Sequence, residues 1–296
     1  MVMRIPHTSR WEQSNTSLQR AAQAAAVAQE QLASGRRINV ASDDPTGAVI
    51  VSQLRAEIGA DEAYTRATED ARTWLTVSEN ALQSSVSLLT RARELVIAGA
   101  SDNNTPASRE ALATEVEQLR DQLVGLANTK LLGRAVFGGF TDEAVTFDGT
   151  TATYVGDGAD VQRRIDSAEV VVVNVDATDV FGFGAGDDVF AVLTDAATAL
   201  RAGDTAALGA TMLDRIAARA DNVFTGLATI GARTNAVDRQ ESLLADRFLQ
   251  LSDHAASIES VDFAEAAMEV ARSKAAYEAA LAATAQLNAV SLLDFL

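Results

Sequence analysis

Residues 216–258 read IAARADNVFTGLATIGARTNAVDRQESLLADRFLQLSDHAASI, and every seventh position of this stretch is apolar. The seven positions, which we call the heptad seam, are Ile216, Val223, Ile230, Val237, Leu244, Leu251 and Ile258. In a chain that is 48% hydrophobic, chance would give one such unbroken frame on the order of once in a hundred times. A helix of six heptads has no compact core of its own and winds on other helices. The stretch therefore predicts the seam of a helical rod.

A second long helix is predicted upstream, over residues 45–99. Asp43 and Asp44 followed by Pro45 are typical of a helix start, since Asp caps free amides and Pro suits the first turn. Such a helix would span roughly 80 Å, too long for a compact domain. Residues 101–106 interrupt it. A second helix is then predicted by an apolar stripe, and it would pair with the first as an antiparallel helical hairpin. The residues of the stripe are Leu112, Val116, Leu119, Leu123 and Leu126.

Both ends of the chain predict helices with alanine-rich faces. Gly35 is the predicted C-cap of the first, and the last starts near Asp262. Small side chains bury little apolar area, at about 25 cal/mol per Å², against an ordering cost of about 1–2 kcal/mol per residue. We therefore expect residues 1–44 and 259–296 to be mobile in the monomer and to fold on assembly. The candidate assembly residues are Leu18, Ala25, Leu32, Met268, Ala275, Ala282, Leu292, Leu293, Phe295 and Leu296.

The middle of the chain, residues 140–186, predicts a small β domain. Two short β-prone runs flank Asp148-Gly149, a hairpin-turn signal. Residues 170–173 are four valines and predict a buried strand, and the glycines at 182, 184 and 186 predict a strand-end turn. The fold class expected is mainly α with a small β insert and long antiparallel coiled-coil helices formed by both termini. The expected domains are 1–44 with 259–296, 45–139 with 187–258, and 140–186.

The composition excludes several classes of function. The net charge of −17 and a pI of about 4.5 disfavour binding to nucleic acid or to an anionic membrane surface. Without cysteine, disulfides, thiolate metal sites and Cys nucleophiles are impossible. We expect no transmembrane helix, because no stretch approaches 18 consecutive apolar residues, and no cleavable signal, because the N-terminus lacks an apolar core.

No constellation of residues indicates catalysis, a metal or a cofactor. The two histidines, His7 and His254, have no triad partners at a suitable spacing. The acidic pairs 43–44 and 187–188 precede predicted helices and are expected to cap them. Residues 156–160, GDGAD, form a single glycine/aspartate turn, whereas a calcium site of that type needs tandem copies. The chain is expected not to be an enzyme.

Three segments resemble the flagellin superfamily. Residues 32–48, LASGRRINVASDDPTGA, are similar to its N-terminal signature LSSGxRINxAxDDxAG. Residues 88–95 are similar to its helical-hairpin segment, and residues 257–296 to its final helix. The resemblance implies a tube of paired terminal helices inside a helical rod, with the β insert facing outward. It also implies export through the flagellar secretion channel without a cleaved signal peptide, and an extracellular location.

Within the superfamily, residues 133–147 are similar to a passage of the subunits that join hook to filament. Ala135, Val136 and Thr146 stand where an aromatic residue and a proline are usual. A junction subunit implies a homo-oligomeric ring, contacts with the preceding hook-associated protein and with flagellin, and an export chaperone on the C-terminal helix. The filament subunit itself is the alternative within the superfamily. A cytosolic coiled-coil scaffold and a secreted tip protein of a virulence system are alternatives outside it.

Overall fold

The computed structural model describes residues 7–183 and 187–293, and side chains over 11–183 and 187–286. A π-helical turn, Leu208–Met212, precedes the long helix that begins at Leu213. Among the described residues the helices are α1 (His7–Ser34), α2 (Pro45–Gly99), α3 (Pro106–Ala127), α4 (Ala177–Phe181), α5 (Val189–Ala202), α6 (Thr205–Ala207), α7 (Leu213–Glu259) and α8 (Phe263–Leu293). The mainly α fold class and the bounds of the predicted helix 45–99 are confirmed.

One aspartate of each acidic pair caps a helix, as the sequence predicts. Asp44 Oδ1 accepts a hydrogen bond of 2.9 Å from the Gly47 amide in the first turn of α2. Asp188 Oδ1 likewise accepts from the Phe190 and Ala191 amides at the start of α5. Each satisfies amides that lack partners within the helix.

The other aspartate of each pair has a different role, so the prediction was wrong for these two residues. Asp43 Oδ2 accepts from the amides of Asn39 and Val40, both at 3.0 Å, and closes the loop before α2. Asp187 receives a forked hydrogen bond from the guanidinium of Arg215 on α7. In each pair the second carboxylate, and not the first, accepts hydrogen bonds from the amides of the helix.

The β region consists of three antiparallel hairpins and begins earlier than predicted. The strands are β1 (Lys130–Leu131), β2 (Arg134–Ala135), β3 (Val145–Phe147), β4 (Ala152–Tyr154), β5 (Gln162–Arg164) and β6 (Val170–Val172). They pair as β1–β2, β3–β4 and β5–β6, with Thr146 opposite Thr153 in the second hairpin. The predicted turn at Asp148-Gly149 is confirmed, and Gly149 has a φ of +94° that favours glycine.

Two predictions in this region were wrong. The valine run does not form a uniformly buried strand, because Val171 is buried whereas Val170 points to solvent, as the period of two in a strand requires. Gly182 does not end a strand; it is the left-handed C-cap of α4, with its N–H bonded to the Thr178 carbonyl. Residues 184–186 lie outside the described residues.

The chain divides into two compact units. Unit 1 comprises residues 1–60 and 247–296, and unit 2 comprises residues 61–246. The buried apolar side chains from Ala71 to Val237 join in one hydrophobic cluster, which lies wholly in unit 2. Inside that cluster Phe181 packs edge-on against Phe137, with ring centroids 5.6 Å apart. The predicted three-part division of the chain stays a prediction.

Candidate assembly surfaces

The described part of unit 1, residues 11–60 and 247–286, buries few large apolar side chains. Its buried apolar residues are Ala28, Ile38, Val51, Leu54, Ala255 and Ala266. Its exposed apolar residues are larger and more numerous: Trp11, Val27, Val40, Val49, Ile50, Phe248, Leu249, Phe263, Met268 and Leu281. Apolar surface left in water is unfavourable, and a concentration of it on one part of a molecule is typical of an interaction site.

The framework of unit 1 is the antiparallel pair of α1 and α8. Near one end of the pair, the Ser14 and Thr284 hydroxyls are hydrogen-bonded at 3.0 Å. Near the other end, a Cβ placed on Gly35 would lie 3.3 Å from the Phe263 ring. A side chain at position 35, where φ is +69°, would be strained and would crowd this ring. The antiparallel pairing of helices from the two termini is as predicted.

Met268, Ala275 and Ala282, the predicted assembly residues of α8 whose side chains are described, do not lie on the face that packs within the chain. Ala266 and Ser273 are buried on α8, and the half-buried residues Val270, Tyr277, Ala280 and Thr284 continue that face. Met268 is 67% exposed, and Ala275 and Ala282 are exposed as well. Alanine occurs on every side of α8, so the alanine pattern could not reveal which face pairs with α1; the spacing of Ser273, Tyr277 and Thr284 could have.

On α1 the predicted residues Leu18, Ala25 and Leu32 are half-buried. They follow the same side of the helix as Ala28, which is buried. Leu292 and Leu293 lie in the last turn of α8, but their side chains, together with Phe295 and Leu296, fall outside the described ones. The assignment of all ten residues to assembly stays a prediction.

The heptad seam divides between the two units. In unit 2 the side chains of Ile216, Val223, Ile230, Val237 and Leu244 are buried. In unit 1 Leu251 and Ile258 are only half-buried. The part of the seam that belongs to unit 2 therefore packs inside the chain, and the part in unit 1 keeps apolar surface in contact with solvent. The role of the seven residues in a rod stays a prediction.

The loop of residues 35–44 binds the turn between α7 and α8, both within unit 1. The Arg37 amide donates to the Glu259 carbonyl at 2.7 Å, and the Val261 amide donates to the Gly35 carbonyl at 3.0 Å. The Glu259 carboxylate contacts two guanidinium groups, of Arg55 at 2.5 Å and of Arg36 at 3.4 Å. The arginines of this loop are the sequence signal for these contacts, since Arg forms forked pairs with carboxylates.

Arg37 also completes the start of α2. Its guanidinium lies 3.2 Å from Asp44 Oδ2 and 2.9 Å from the Ile258 carbonyl oxygen. The hydrogen bond from the Gly47 amide, assisted by Arg37, lowers the pKa of the Asp44 carboxyl below its usual value. One arginine thus connects the start of α2 to the end of α7 through atoms that all belong to unit 1.

The two units differ in charge. Unit 1 has nine Lys/Arg and twelve Asp/Glu, a net charge of −3; unit 2 has fifteen and twenty-nine, a net charge of −14. Like charges repel when copies of a protein approach. The nearly neutral unit with exposed apolar faces is therefore the better suited of the two to close packing with neighbours.

Comparison with known proteins gives the family. The bacterial flagellin N-terminal helical region matches residues 7–139, and the bacterial flagellin C-terminal helical region matches residues 213–296. The chain belongs to the flagellin family. The resemblance of its two ends to that family is confirmed, and the family is one of flagellar structural proteins.

Individual relatives of this flagellin-family chain extend over most of its length. Flagellar hook-associated protein 3 of Escherichia coli (strain K12) is 26% identical over 290 residues, which cover 90% of each chain. A flagellin of Halalkalibacterium halodurans is 28% identical over 261 residues, 88% of this chain and 87% of the relative.

A solved structure, of a putative flagellar hook-associated protein from Vibrio parahaemolyticus, superposes with a TM-score of 0.69 at 22% identity. It covers 74% of this chain and 100% of the other. At that identity the likeness concerns the fold.

The described residues hold no grouping of three or more His, Asp or Glu side chains placed to hold a metal ion. Among the described helices, none combines the length and apolar composition that crossing a bilayer requires. His254 is exposed on α7.

Proposed function

We propose that the chain is a structural subunit of the bacterial flagellum that joins hook to filament and assembles through its terminal helices. The assembly role is supported above all by the uneven distribution of buried apolar side chains between the two units. The large apolar cluster lies in unit 2, whereas unit 1 exposes apolar faces to solvent. The junction role is supported by the likeness to hook-associated protein 3 over 90% of both chains. A flagellar, extracellular location follows from the family.

The partners follow from this role. The subunit forms a homo-oligomeric ring, with the preceding hook-associated protein on one side and flagellin on the other. It leaves the cell through the flagellar secretion channel, unfolded and without a cleaved signal peptide, and an export chaperone binds its C-terminal helix. The exposed face of α8 that contains Met268, Ala275 and Ala282 offers a neighbour small side chains that permit close helix packing.

The filament subunit is a second candidate, supported by the Halalkalibacterium halodurans flagellin, which is aligned over nearly its whole length. A deletion strain separates the two. Loss of a junction subunit leaves hooks on the cell while flagellin is shed into the medium. Loss of the filament subunit removes the filament antigen altogether, and that result would overturn the junction assignment.

A second experiment tests the assembly face itself. Met268→Asp places a charge on the exposed face of α8, and Ile97→Asp does the same on α2 in unit 2, where Ile97 is 51% exposed. We expect both variants to melt like the parent, because neither side chain is buried. Only Met268→Asp should fail to restore filaments in the deletion strain, since a buried unpaired charge is costly. Equal restoration by both variants would exclude this face from assembly.

A further inference from the structure

A polar cleft of about 590 Å³ lies within unit 2, between α7 and the segment that leads into α4. This is the volume range of small-molecule sites in proteins. One wall is a stripe of α7 that includes Asn222, Gly226 and Arg233, and the other contains Tyr154, Asp160 and residues 174–180. None of these residues belongs to the surfaces assigned above to assembly.

Two contacts hold the walls of the cleft together. A Cβ placed on Gly226 would lie 3.0 Å from Val180 Cγ2, so α7 and α4 touch there. Seven residues further along α7, about 10 Å, the Arg233 guanidinium donates to the Asn174 carbonyl oxygen. Asn174 is itself buried, and its amide bonds to the backbone of residues 159 and 161.

Tyr154 and Asp176 are held in place at the side of the cleft. The Tyr154 hydroxyl donates to Asp176 Oδ2 at 2.5 Å and accepts from the Gly158 amide at 2.9 Å. Asp176 Oδ1 accepts from the Thr178 amide at 2.7 Å and caps α4. These groups are fixed by the chain, so they shape the cleft and place the tyrosine ring at its wall.

Other polar groups in the cleft keep their bonding capacity. Within the part of the chain that the structure describes, no group hydrogen-bonds to the side chains of Asp160, Asp179 and Asn222. Arg233 has five N–H donors, and the bond to the Asn174 carbonyl uses one of them. The cleft therefore presents free donors and free acceptors side by side.

The charges in the cleft limit the class of ligand. Three carboxylates, of Asp160, Asp176 and Asp179, face a single guanidinium, that of Arg233, so an anion such as phosphate is repelled. A cation would be attracted by the three carboxylates, but it would be repelled by Arg233 and could not accept from the N–H donors of that guanidinium. A hydroxyl group both donates and accepts, and a neutral ligand with several hydroxyls can satisfy both kinds of group. Tyr154 adds aromatic surface to the lining of the cleft, and its ring also contacts the Phe183 ring, with centroids 6.1 Å apart.

We infer that this cleft binds a neutral saccharide, with Asp160, Asn222 and Arg233 hydrogen-bonding its hydroxyls against the ring of Tyr154. The inference concerns unit 2 alone and does not depend on the role of unit 1 in assembly.

Saturation-transfer NMR on the full-length protein tests the site. The probes are maltose, cellobiose, lactose and chitobiose, with tetralysine and inorganic phosphate as the competing classes. We expect at least one disaccharide to bind in the millimolar range, with affinity at least tenfold lower in Asp160→Ala and in Asn222→Ala. The matched controls are Glu169→Ala and Asn235→Ala, whose side chains are exposed outside the cleft, and they should bind like the parent.

Thermal melting of each variant establishes that it is folded. Binding of no disaccharide, or binding that the two cleft variants leave unchanged, would overturn the inference. Binding of tetralysine or phosphate that these variants abolish would also overturn it, in favour of an ionic ligand.

Discussion

At the scale of single residues, two adjacent leucines of α7 have opposite environments. Leu244 is 3% exposed and Leu243 is 61% exposed. We expect Leu244→Asp to lower the free energy of unfolding by about 3 kcal/mol or more, because it buries an unpaired charge. Leu243→Asp should change it by less than about 0.5 kcal/mol. Urea unfolding measures both, and equal stability of the two variants would refute the heptad seam at this position.

Two glycines of α7 form a second matched pair. Nothing lies within 4 Å of a Cβ placed on Gly231, whereas one on Gly226 meets Val180 at 3.0 Å and Leu82 at 3.3 Å. Gly231→Ala should stabilise the protein by about 0.5–1 kcal/mol, because alanine is the better helix former. Gly226→Ala should be at least about 1 kcal/mol less stable than Gly231→Ala, because the added methyl group crowds Val180.

Thermal or urea unfolding of the two glycine variants supplies the measurement. If Gly226→Ala stabilised the protein as much as Gly231→Ala, the close contact between α7 and α4 at Val180 would be wrong.

Tyr154 predicts a dependence of stability on alkaline pH. Burial, together with its hydrogen bond to the Asp176 carboxylate, raises the pKa of the Tyr154 hydroxyl above its ordinary value. The unfolded chain releases this proton near pH 10 while the folded chain retains it. The stabilisation is therefore complete below about pH 10 and is lost as the pH rises further.

Replacement of this hydroxyl tests the dependence. The free energy of unfolding should fall more steeply between about pH 9 and about pH 11 in the parent than in Tyr154→Phe. Urea unfolding at the two pH values is the measurement. Parallel losses in the two proteins would show that another group is responsible.

At the scale of elements, the long helices could be predicted from sequence and the short elements could not. Six heptads from Ile216 to Ile258 repeat one packing relation many times, so the period is visible above the noise. The strands have two or three residues each, too few for a period of two to be visible. In α8 alanine occurs on every side, so the sequence could not identify the face that packs within the chain. That face contains the buried residues Ala266 and Ser273. The cleft along Asn222 and Arg233 could not be predicted from the sequence, because the residues of its two walls are far apart along the chain.

The α1–α8 pair should open more readily than the helices of unit 2. Arg20 on α1, Arg272 on α8 and Arg93 on α2 are all exposed on helices, so trypsin reaches each of them only after the local helix unfolds. We expect cleavage of the purified monomer at Arg20 and Arg272 at least tenfold faster than at Arg93, because unit 1 has few buried apolar side chains.

Mass spectrometry of the early tryptic fragments gives the three rates. Arg272, with 84% of its side chain exposed, and Arg93 are both exposed, so a difference in their cleavage rates reports how readily the local helix opens. If the first 40 and last 35 residues resisted cleavage as well as the helix over residues 105–126, folding of the termini on assembly would be wrong.

At the scale of the whole molecule, the division of charge decides how association responds to salt. Assembly through unit 1 brings together units of net charge −3, and it also gathers copies of unit 2 of net charge −14 each. The attraction between copies then comes from the apolar surface of unit 1, and electrostatic repulsion between the acidic copies opposes it. Salt screens repulsion over a Debye length of about 10 Å at 0.1 M and about 3 Å at 1 M.

Self-association of the purified protein should therefore increase with sodium chloride, as sedimentation velocity would measure between about 0.05 M and about 1 M. Met268→Asp should associate less than the parent at every salt concentration, because the added charge must be buried against a neighbour. Association held by ion pairs between copies would respond in the opposite way and weaken as salt is added. That outcome would place the contacts on the acidic surface of unit 2 rather than on the apolar faces of α1 and α8.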